Sequence, residues 1–519
     1  MRFLVPLCVF LLAGCASAPR PAPPVTPPAR PPAHALIPIP AQVRLAPTDT
    51  FRLTPTTPVR ADDDAASAIG AMVLGWIGPP VDGAPEVPAH SGTLRVLRQP
   101  GLGDEGYRLA VTSREIRLEA TTDAGLFYAA QTLRQLLAPE IEFEAAFPRA
   151  YAVPGVRIED RPRFAWRGAM LDVARHFLPP EDVKRFIDVM VLYKLNRLHL
   201  HLADDQGWRI EIPGWPRLTE VGGRSEVGGG AGGFYTLAEY AEIVRYAAER
   251  HVMVVPEIDV PGHTNAALVS YPELTCSGEA PPPYTGIRVG FSFLCVEKEE
   301  TYAFLDAVMG TLAEVTPGPF LHIGGDEVKQ LSAEQYARFV ARAQAIVHAH
   351  GKRVIGWDEI AEVDLVPGSV VQVWRPLDPS ASPVPHAVAA GAELVLSPAD
   401  RIYLDMKRDS TTTLGLNWAG YNGIRDAYDW DPAHLLPGVP ETSILGVEAP
   451  LWSETLATFS DVTLMALPRL VGVAEIGWSP QASRQWDAYR HRLAHHAARW
   501  TALGLTYDRA PEVPWPNAP

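Results

Sequence analysis

The chain has 519 residues, 47% of them hydrophobic and 20% charged, with a formal net charge of -15. That length supports more than one domain and a large buried core, and the composition fits neither a disordered chain nor a membrane bundle. The acidic surplus excludes non-specific nucleic-acid binding, which needs a basic surplus to neutralise phosphates, and favours a neutral or cationic partner.

The chain opens "MRFLVPLCVFLLAGC", with one early Arg2, a short apolar stretch, then Leu12, Ala13 and Gly14 before Cys15. This reads as an export signal over residues 1–15 rather than a membrane span. Its ending resembles the bacterial lipobox, which implies that Cys15 is lipidated and that the protein meets the cell envelope, at the periplasm or outer membrane, only through that lipid. Cleavage by ordinary signal peptidase is the alternative. Residues 16–40 are too rich in proline to pack and read as an extended spacer. Two of the four cysteines lie in the signal, leaving Cys276 and Cys295. In an exported chain these are expected to form a disulfide, with two buried thiols as the alternative. No Cys-x-x-Cys pair is present, so neither zinc nor any other cofactor is expected.

Residues 41–155 read as a small α+β support domain. "EGYRLAVTSREIRLEA" alternates as two strands, and "DAGLFYAAQTLRQLL" sets Leu126, Ala129, Ala130, Leu133 and Leu137 on one helical face. From 156 to 519 short apolar strands alternate with amphipathic helices. In the first helix Val183, Phe186, Ile187, Met190 and Val191 form one stripe, and two later helices open with capping boxes, Thr236 with Glu239 and Ser332 with Gln335. The candidate strands are "AMLDVA", "NRLHLHL", "MVVPEIDV", "FLHIGG", "KRVIGW", "VVQVW", "ELVLS" and "ILGVEAPLW". Eight of them favour an α/β fold of the (β/α)8 TIM-barrel type, preceded by the small α+β domain.

Barrel chemistry gathers where strands end, and the polar residues follow that geography. Arg167 stands just before the first strand, with Asp172, Arg175 and His176 in or after it. "ADDQGW" follows the second, "DVPGH" ends the third, and Asp326 and Glu327 end the fourth. Trp357 and Asp358, Trp374, Tyr403 and Asp405, then Trp452 and Glu454 follow the remaining strands. Acids and indoles without a phosphate loop point to carbohydrate, whose C–H faces suit tryptophan and whose hydroxyls suit carboxylates and arginine. Two neighbouring carboxyls in a dry site separate in proton affinity, so one serves as acid while the other stays charged. In an extended strand, however, Asp326 and Glu327 leave on opposite faces, poorly placed to flank one bond as acid and nucleophile.

"HIGGDE" resembles the signature of family-20 glycoside hydrolases, the β-N-acetylhexosaminidases. The likeness continues through "RGAMLDVARHF", "LHLHLADDQGWR", "DVPGHTNAAL", "YLDM" and "GVEAPLWSE". The resemblance implies a retaining exo-glycosidase acting on glycans that end in an N-acetylhexosamine, in which the sugar's own 2-acetamido oxygen attacks the anomeric carbon. Glu327 is then the acid and base, Asp326 orients the acetamido N–H, and Tyr403 donates to its oxygen. Trp357, Trp374 and Trp452 wall the pocket, Arg167, Asp405 and Glu454 bind outer hydroxyls, and Asp204 and His263 support the acid. The glycine-rich run Gly222–Gly233 is expected to be a mobile loop rather than a phosphate site. Two other readings remain open: a metal-dependent barrel hydrolase built on His199 and His201, and a catalytically silent glycan-binding lipoprotein.

Overall fold

A computed structural model of the chain describes residues 34–78, 92–143, 150–376 and 382–516. The export segment with Cys15, and the proline-rich stretch up to residue 33, lie outside them. The first unit is a six-stranded sheet built from β1 (Gln42–Leu53), β2 (Val59–Ala61), β3 (Thr93–Arg98), β4 (Tyr107–Val111), β5 (Glu115–Ala120) and β6 (Tyr151–Asp160), in the order β1-β6-β4-β5-β3-β2. Strict alternation gives it one dry face: in β5 Ile116, Leu118 and Ala120 are buried while Glu115, Arg117 and Glu119 are not. Against it lie α1 (Asp64–Trp76) and α2 (Asp123–Leu136). Thr122 caps α2 by accepting the Gly125 N–H, and the expected stripe of Leu126, Ala129, Ala130 and Leu133 is buried.

The second unit is a closed parallel barrel. Its strands are β7 (Trp166–Asp172) and β8 (Arg197–His201), then, after a short hairpin of β9 (Ala203–Asp204) and β10 (Gly207–Trp208), β11 (Met253–Glu257), β12 (Phe320–His322), β13 (Arg353–Trp357), β14 (Val370–Val373), β15 (Glu393–Leu396) and β16 (Ile444–Leu451). All eight strands read from the sequence are present, and β16 pairs with β7 to close the ring. The stripe on α3 (Pro180–Leu192) is buried, and both expected capping boxes form. Among the described residues no helix is long and apolar enough to cross a membrane.

Alternation along the strands sorts the barrel interior into layers. Near the strand starts Trp166, Val255, Phe320, Ile355, Val370 and Val395 make an apolar plug. One step further on, His199, Glu257, His322, Trp357, Gln372 and Glu448 form a polar layer, each at most 1% exposed. Gly168 on β7 belongs to this arrangement, since a Cβ there would stand 2.3 Å from Glu448 Oε2.

Arg167 corrects the sequence reading. It is the second residue of β7, fully buried, and donates to Glu105 of the small unit at 2.8 and 2.9 Å and to the Phe164 and Lys194 carbonyls. That end of a barrel strand carries stability rather than chemistry, so Arg167 is a strut between the two units and not a ligand for sugar. The glycine-rich run Gly222–Gly233 has anchored ends. The buried Arg209 guanidinium donates to the carbonyls of Gly223, Ser225 and Gly233 and fastens both ends of the run. Cys276 and Cys295 form the expected disulfide, with Cα atoms 4.8 Å apart.

Candidate active site

A cavity of about 390 Å³ opens at the C-terminal end of the barrel, within the range of small-ligand sites. Arg175, His263, Asp326, Glu327, Trp374, Tyr403, Trp452 and Glu454 line it, with Ile287, Val289, Leu416 and Trp418 also in its wall. The first eight sit on loops after six different strands, so closing the barrel is what brings them together.

Asp326 and Glu327 do not continue β12, which ends at His322. Gly324 and Gly325 take φ of 65° and 100°, and Glu327 itself takes 56°. A Cβ on Gly324 would fall 1.9 Å from Asp259 Oδ1, so the turn demands glycine there. The chain therefore leaves the extended form, and the expectation of opposed side chains fails: both acids face one pocket. A non-glycine residue at positive φ carries strain, and here it falls on the residue expected to act as the acid.

Asp326 is buried, which pushes its carboxyl up to about 7 against the opposing pull of His263. Its Oδ1 has no hydrogen-bond partner among the described residues. Glu327 is the more open of the pair, with Oε2 3.5 Å from His263 Nε2. On its other side His263 Nδ1 faces Asp204 Oδ1 at 3.2 Å. Burial works against charge on Asp204, but Arg175, His263 and His201 outweigh it and hold the carboxyl far below its ordinary range. Asp204 lies behind His263 rather than on the pocket wall, so it acts on the site only through its neighbours.

Trp374 stacks along Tyr403, with centroids 6.2 Å apart at 18°, and Trp452 closes the third side. Trp357 packs against Trp452, 5.7 Å between ring centroids, and donates its indole N–H to Glu257. Asp405 lies beside Trp452, Oδ1 3.5 Å from its backbone N–H, with Oδ2 unpartnered among the described residues. Glu454 reaches the cavity, where burial raises its carboxyl and the nearby Arg175 opposes that rise. Burial also lifts the Tyr403 hydroxyl well above 10, so it remains a donor.

Arg175 takes the place expected for Arg167. It donates to Asp204 at 2.6 Å and covers the Trp452 ring. The strand-end rule already separated the two arginines, since Arg175 follows β7 while Arg167 begins it. The rim residues Ile287, Val289, Leu416 and Trp418 had no such signal, being isolated apolar residues in long loops. Of the two histidines in the metal reading, His201 already holds a carboxylate at each ring nitrogen, Glu257 at 2.5 Å and Asp204 at 3.0 Å, and His199 Nδ1 meets Glu448 at 2.8 Å, which leaves His199 Nε2 beside Glu257 and His322.

An aromatic, carboxylate-bearing mouth on a (β/α)8 barrel defines a carbohydrate-processing enzyme. Residues 164–481 match the glycosyl hydrolase family 20 catalytic domain, and residues 33–161 match domain 2 of the same family. A β-N-acetylhexosaminidase of Cellulomonas fimi is 45% identical over 496 residues, covering 93% of this chain and 97% of its own. The solved GH20 β-N-acetylhexosaminidase of Streptomyces coelicolor A3(2) is 50% identical with a TM-score of 0.89, covering 94% of this chain and 100% of its own. A mutant Streptomyces plicatus β-hexosaminidase in complex with its product GlcNAc matches with the same identity and TM-score, over 94% of this chain and 99% of its own. The chain belongs to glycosyl hydrolase family 20 and is a β-N-acetylhexosaminidase.

Proposed function

We propose that the protein removes terminal non-reducing N-acetylglucosamine or N-acetylgalactosamine from glycans or chitooligosaccharides by substrate-assisted, retaining catalysis. The observation that carries this reading is the buried, unpartnered Asp326 Oδ1 beside the acid in an aromatic pocket. A buried acceptor without a donor is costly, and an acetamido N–H supplies the missing one.

The acetamido carbonyl oxygen attacks the anomeric carbon while Glu327 gives its proton to the departing glycosidic oxygen. The C–O bond breaks and a cyclic oxazolinium forms. Asp326 accepts the acetamido N–H and balances the positive charge that develops, and Tyr403 donates to the attacking oxygen to aim it. Tethering spares the reaction the entropy of bringing a separate nucleophile. Water then attacks the anomeric carbon and its bond to the acetamido oxygen breaks, restoring the acetamide; the water's proton passes to the Glu327 carboxylate, and the second inversion restores the configuration. Trp374 and Trp452 enclose the acetamido group and ring. Arg175 and Glu454 take the outer hydroxyls, the guanidinium fork suiting adjacent oxygens.

The test compares two aryl β-glycosides that differ only at carbon two. The N-acetylglucosaminide is hydrolysed and the plain glucoside is not; equal rates on both would sink the reading. The "LAGC" sequence at Leu12–Cys15 supports anchoring to the cell envelope by a lipid on Cys15. Replacing Cys15 by Ser is then expected to move the activity from the membrane fraction to the soluble one, and an unchanged distribution would count against the anchor.

A further inference from the structure

Beneath the pocket the barrel interior holds a run of carboxylates and imidazoles that the reaction as described does not use. Glu448 on β16 meets His199 Nδ1 at 2.8 Å, and His199 Nε2 lies 3.0 Å from Glu257 Oε2. The same Glu257 oxygen is 2.5 Å from His201 Nδ1, and His201 Nε2 is 3.0 Å from Asp204 Oδ2. Asp204 Oδ1 then reaches His263 Nδ1 at 3.2 Å, and His263 Nε2 faces Glu327 at 3.5 Å and Asp326 at 3.7 Å. From Glu448 to His263 every member is at most 3% exposed.

Each imidazole in this run stands between two carboxylates. A neutral ring offers one N–H and one lone pair, and a lone pair aimed at a carboxylate oxygen is repulsive. His201, hydrogen-bonded at both nitrogens, therefore carries a proton on each. The His199 Nε2 contact is off-line for a hydrogen bond but close enough to act by charge. Burial opposes charging either ring, yet the flanking carboxylates lift His199 to about 9 and His201 to about 10. Three carboxyl side chains (Glu448, Glu257 and Asp204) thus alternate with three imidazoles (His199, His201 and His263), and Arg175 adds a cation at Asp204.

Other charged and polar groups face the run from the remaining elements. Gln372 and Trp166 donate to Glu448, and Trp357 donates to Glu257, which His322 also approaches. Arg175 pairs with Asp204 and lies 3.5 Å from Asp172. Asp205 is next to Asp204, while Asp259 acts on both His263 and Asp326, and Glu359 acts on Asp326.

We propose that this buried carboxylate–imidazole run sets the proton affinity of Glu327, and that Glu257 and His201 are positioning residues that act through Asp204 and His263 without touching the sugar. The proposal rests on Glu327 being the acid. Each charge in the run is cancelled by its neighbours, so removing one leaves the next exposed to the pocket. In His201→Gln a cation is lost, the negative charge of Glu257 and Asp204 is uncovered, and Glu327 holds its proton more tightly. In Glu257→Gln an anion is lost, His201 stays charged against Asp204, and Glu327 releases its proton more readily.

The experiment is the pH profile of kcat on an aryl β-N-acetylglucosaminide for the wild type and both variants. Its alkaline limb reports the proton on the acid in the substrate complex. The limb should rise by about half a pH unit in His201→Gln and fall by a similar amount in Glu257→Gln, with KM changed less than about twofold. Opposite displacements are the mark of charge, because loosened packing would move both variants the same way. Displacement in one common sense, or a uniform loss of kcat with the limb in place, overturns the proposal. If Glu257→Gln fails to fold, Glu448→Gln replaces it and should also lower the limb; if His201→Gln fails to fold, His199→Gln replaces it and should raise the limb; an unmoved limb in the replacement overturns the proposal as well. Glu327→Gln run in parallel separates the failures: full activity in that variant refutes the acid itself, whereas an inactive Glu327→Gln with unmoved limbs refutes only the run.

Discussion

Asp326 is held in a form that suits it poorly until substrate arrives. Its carboxyl, raised by burial to about 7, is protonated in the empty pocket below that pH, and a protonated acid is a weaker acceptor for the acetamido N–H and carries no charge to balance the oxazolinium. Substrate offers that N–H and favours the charged form, lowering the affinity for the proton in the complex. The acid limb of kcat/KM, which reports free enzyme, is therefore expected at higher pH than the acid limb of kcat. Coincident limbs would show that Asp326 is not the group responsible. The same raised affinity means that the folded state binds more protons than the unfolded one between about pH 4 and 7, so Asp326 lowers stability as pH rises through that window. Asp326→Asn should accordingly melt higher than wild type at pH 8 and gain little at pH 4, while hydrolysis is crippled. Glu327→Gln should lose about 10²- to 10⁴-fold in kcat, the usual share of a general acid, with an unchanged melting midpoint. Loss of folding in place of loss of rate would point to a structural role.

Two loops carry most of the element-scale design. The turn after β12 works because glycine occupies position 324, where φ is +65° and a Cβ would meet Asp259. Gly324→Ala should displace both Asp326 and Glu327 and remove activity while leaving the far-ultraviolet circular dichroism intact; wild-type kcat would show that the turn tolerates a side chain. The second loop spans Cys276 to Cys295 and places Ile287 and Val289 on the cavity wall. Cross-linking its ends stabilises the fold by about 3 kcal/mol in the chain-entropy account. Cys276→Ser with Cys295→Ser should lower the melting midpoint and raise KM for a substrate with an aryl leaving group, with kcat nearly unchanged. An unaltered KM would remove that loop from substrate binding.

At the scale of the whole molecule the arginines at the start of β7 and just beyond its end divide the labour between stability and chemistry. Arg167 joins the barrel to the small unit through Glu105, whereas Arg175 reaches the cavity at the opposite end of the strand. Arg167→Ala strands Glu105 and is expected to cost about 3 kcal/mol with KM at the wild-type value. Arg175→Ala should raise KM with a smaller change in melting midpoint. Urea melts and steady-state kinetics on both variants would expose a reversed assignment.

The sequence by itself determined the eight barrel strands, two strands of the smaller sheet, the helical stripes and caps, and the types of residue at the barrel mouth. These rest on periodicity and on short-range chemistry, which a linear chain displays. The boundary read at residue 155 falls inside β6, and the spacer read up to residue 40 includes Leu36 and Ile37, which are buried. Tertiary structure alone decided that Asp326 and Glu327 share a pocket, because the turn at Gly324 and Gly325 breaks the alternation that the apolar run implied. It also decided that Arg175 and not Arg167 reaches the cavity, and that His199 and His201 join Glu257 and Glu448 in one buried run. Those contacts link residues up to 249 positions apart, and nothing local in the chain records which distant strand a side chain will face once the barrel closes.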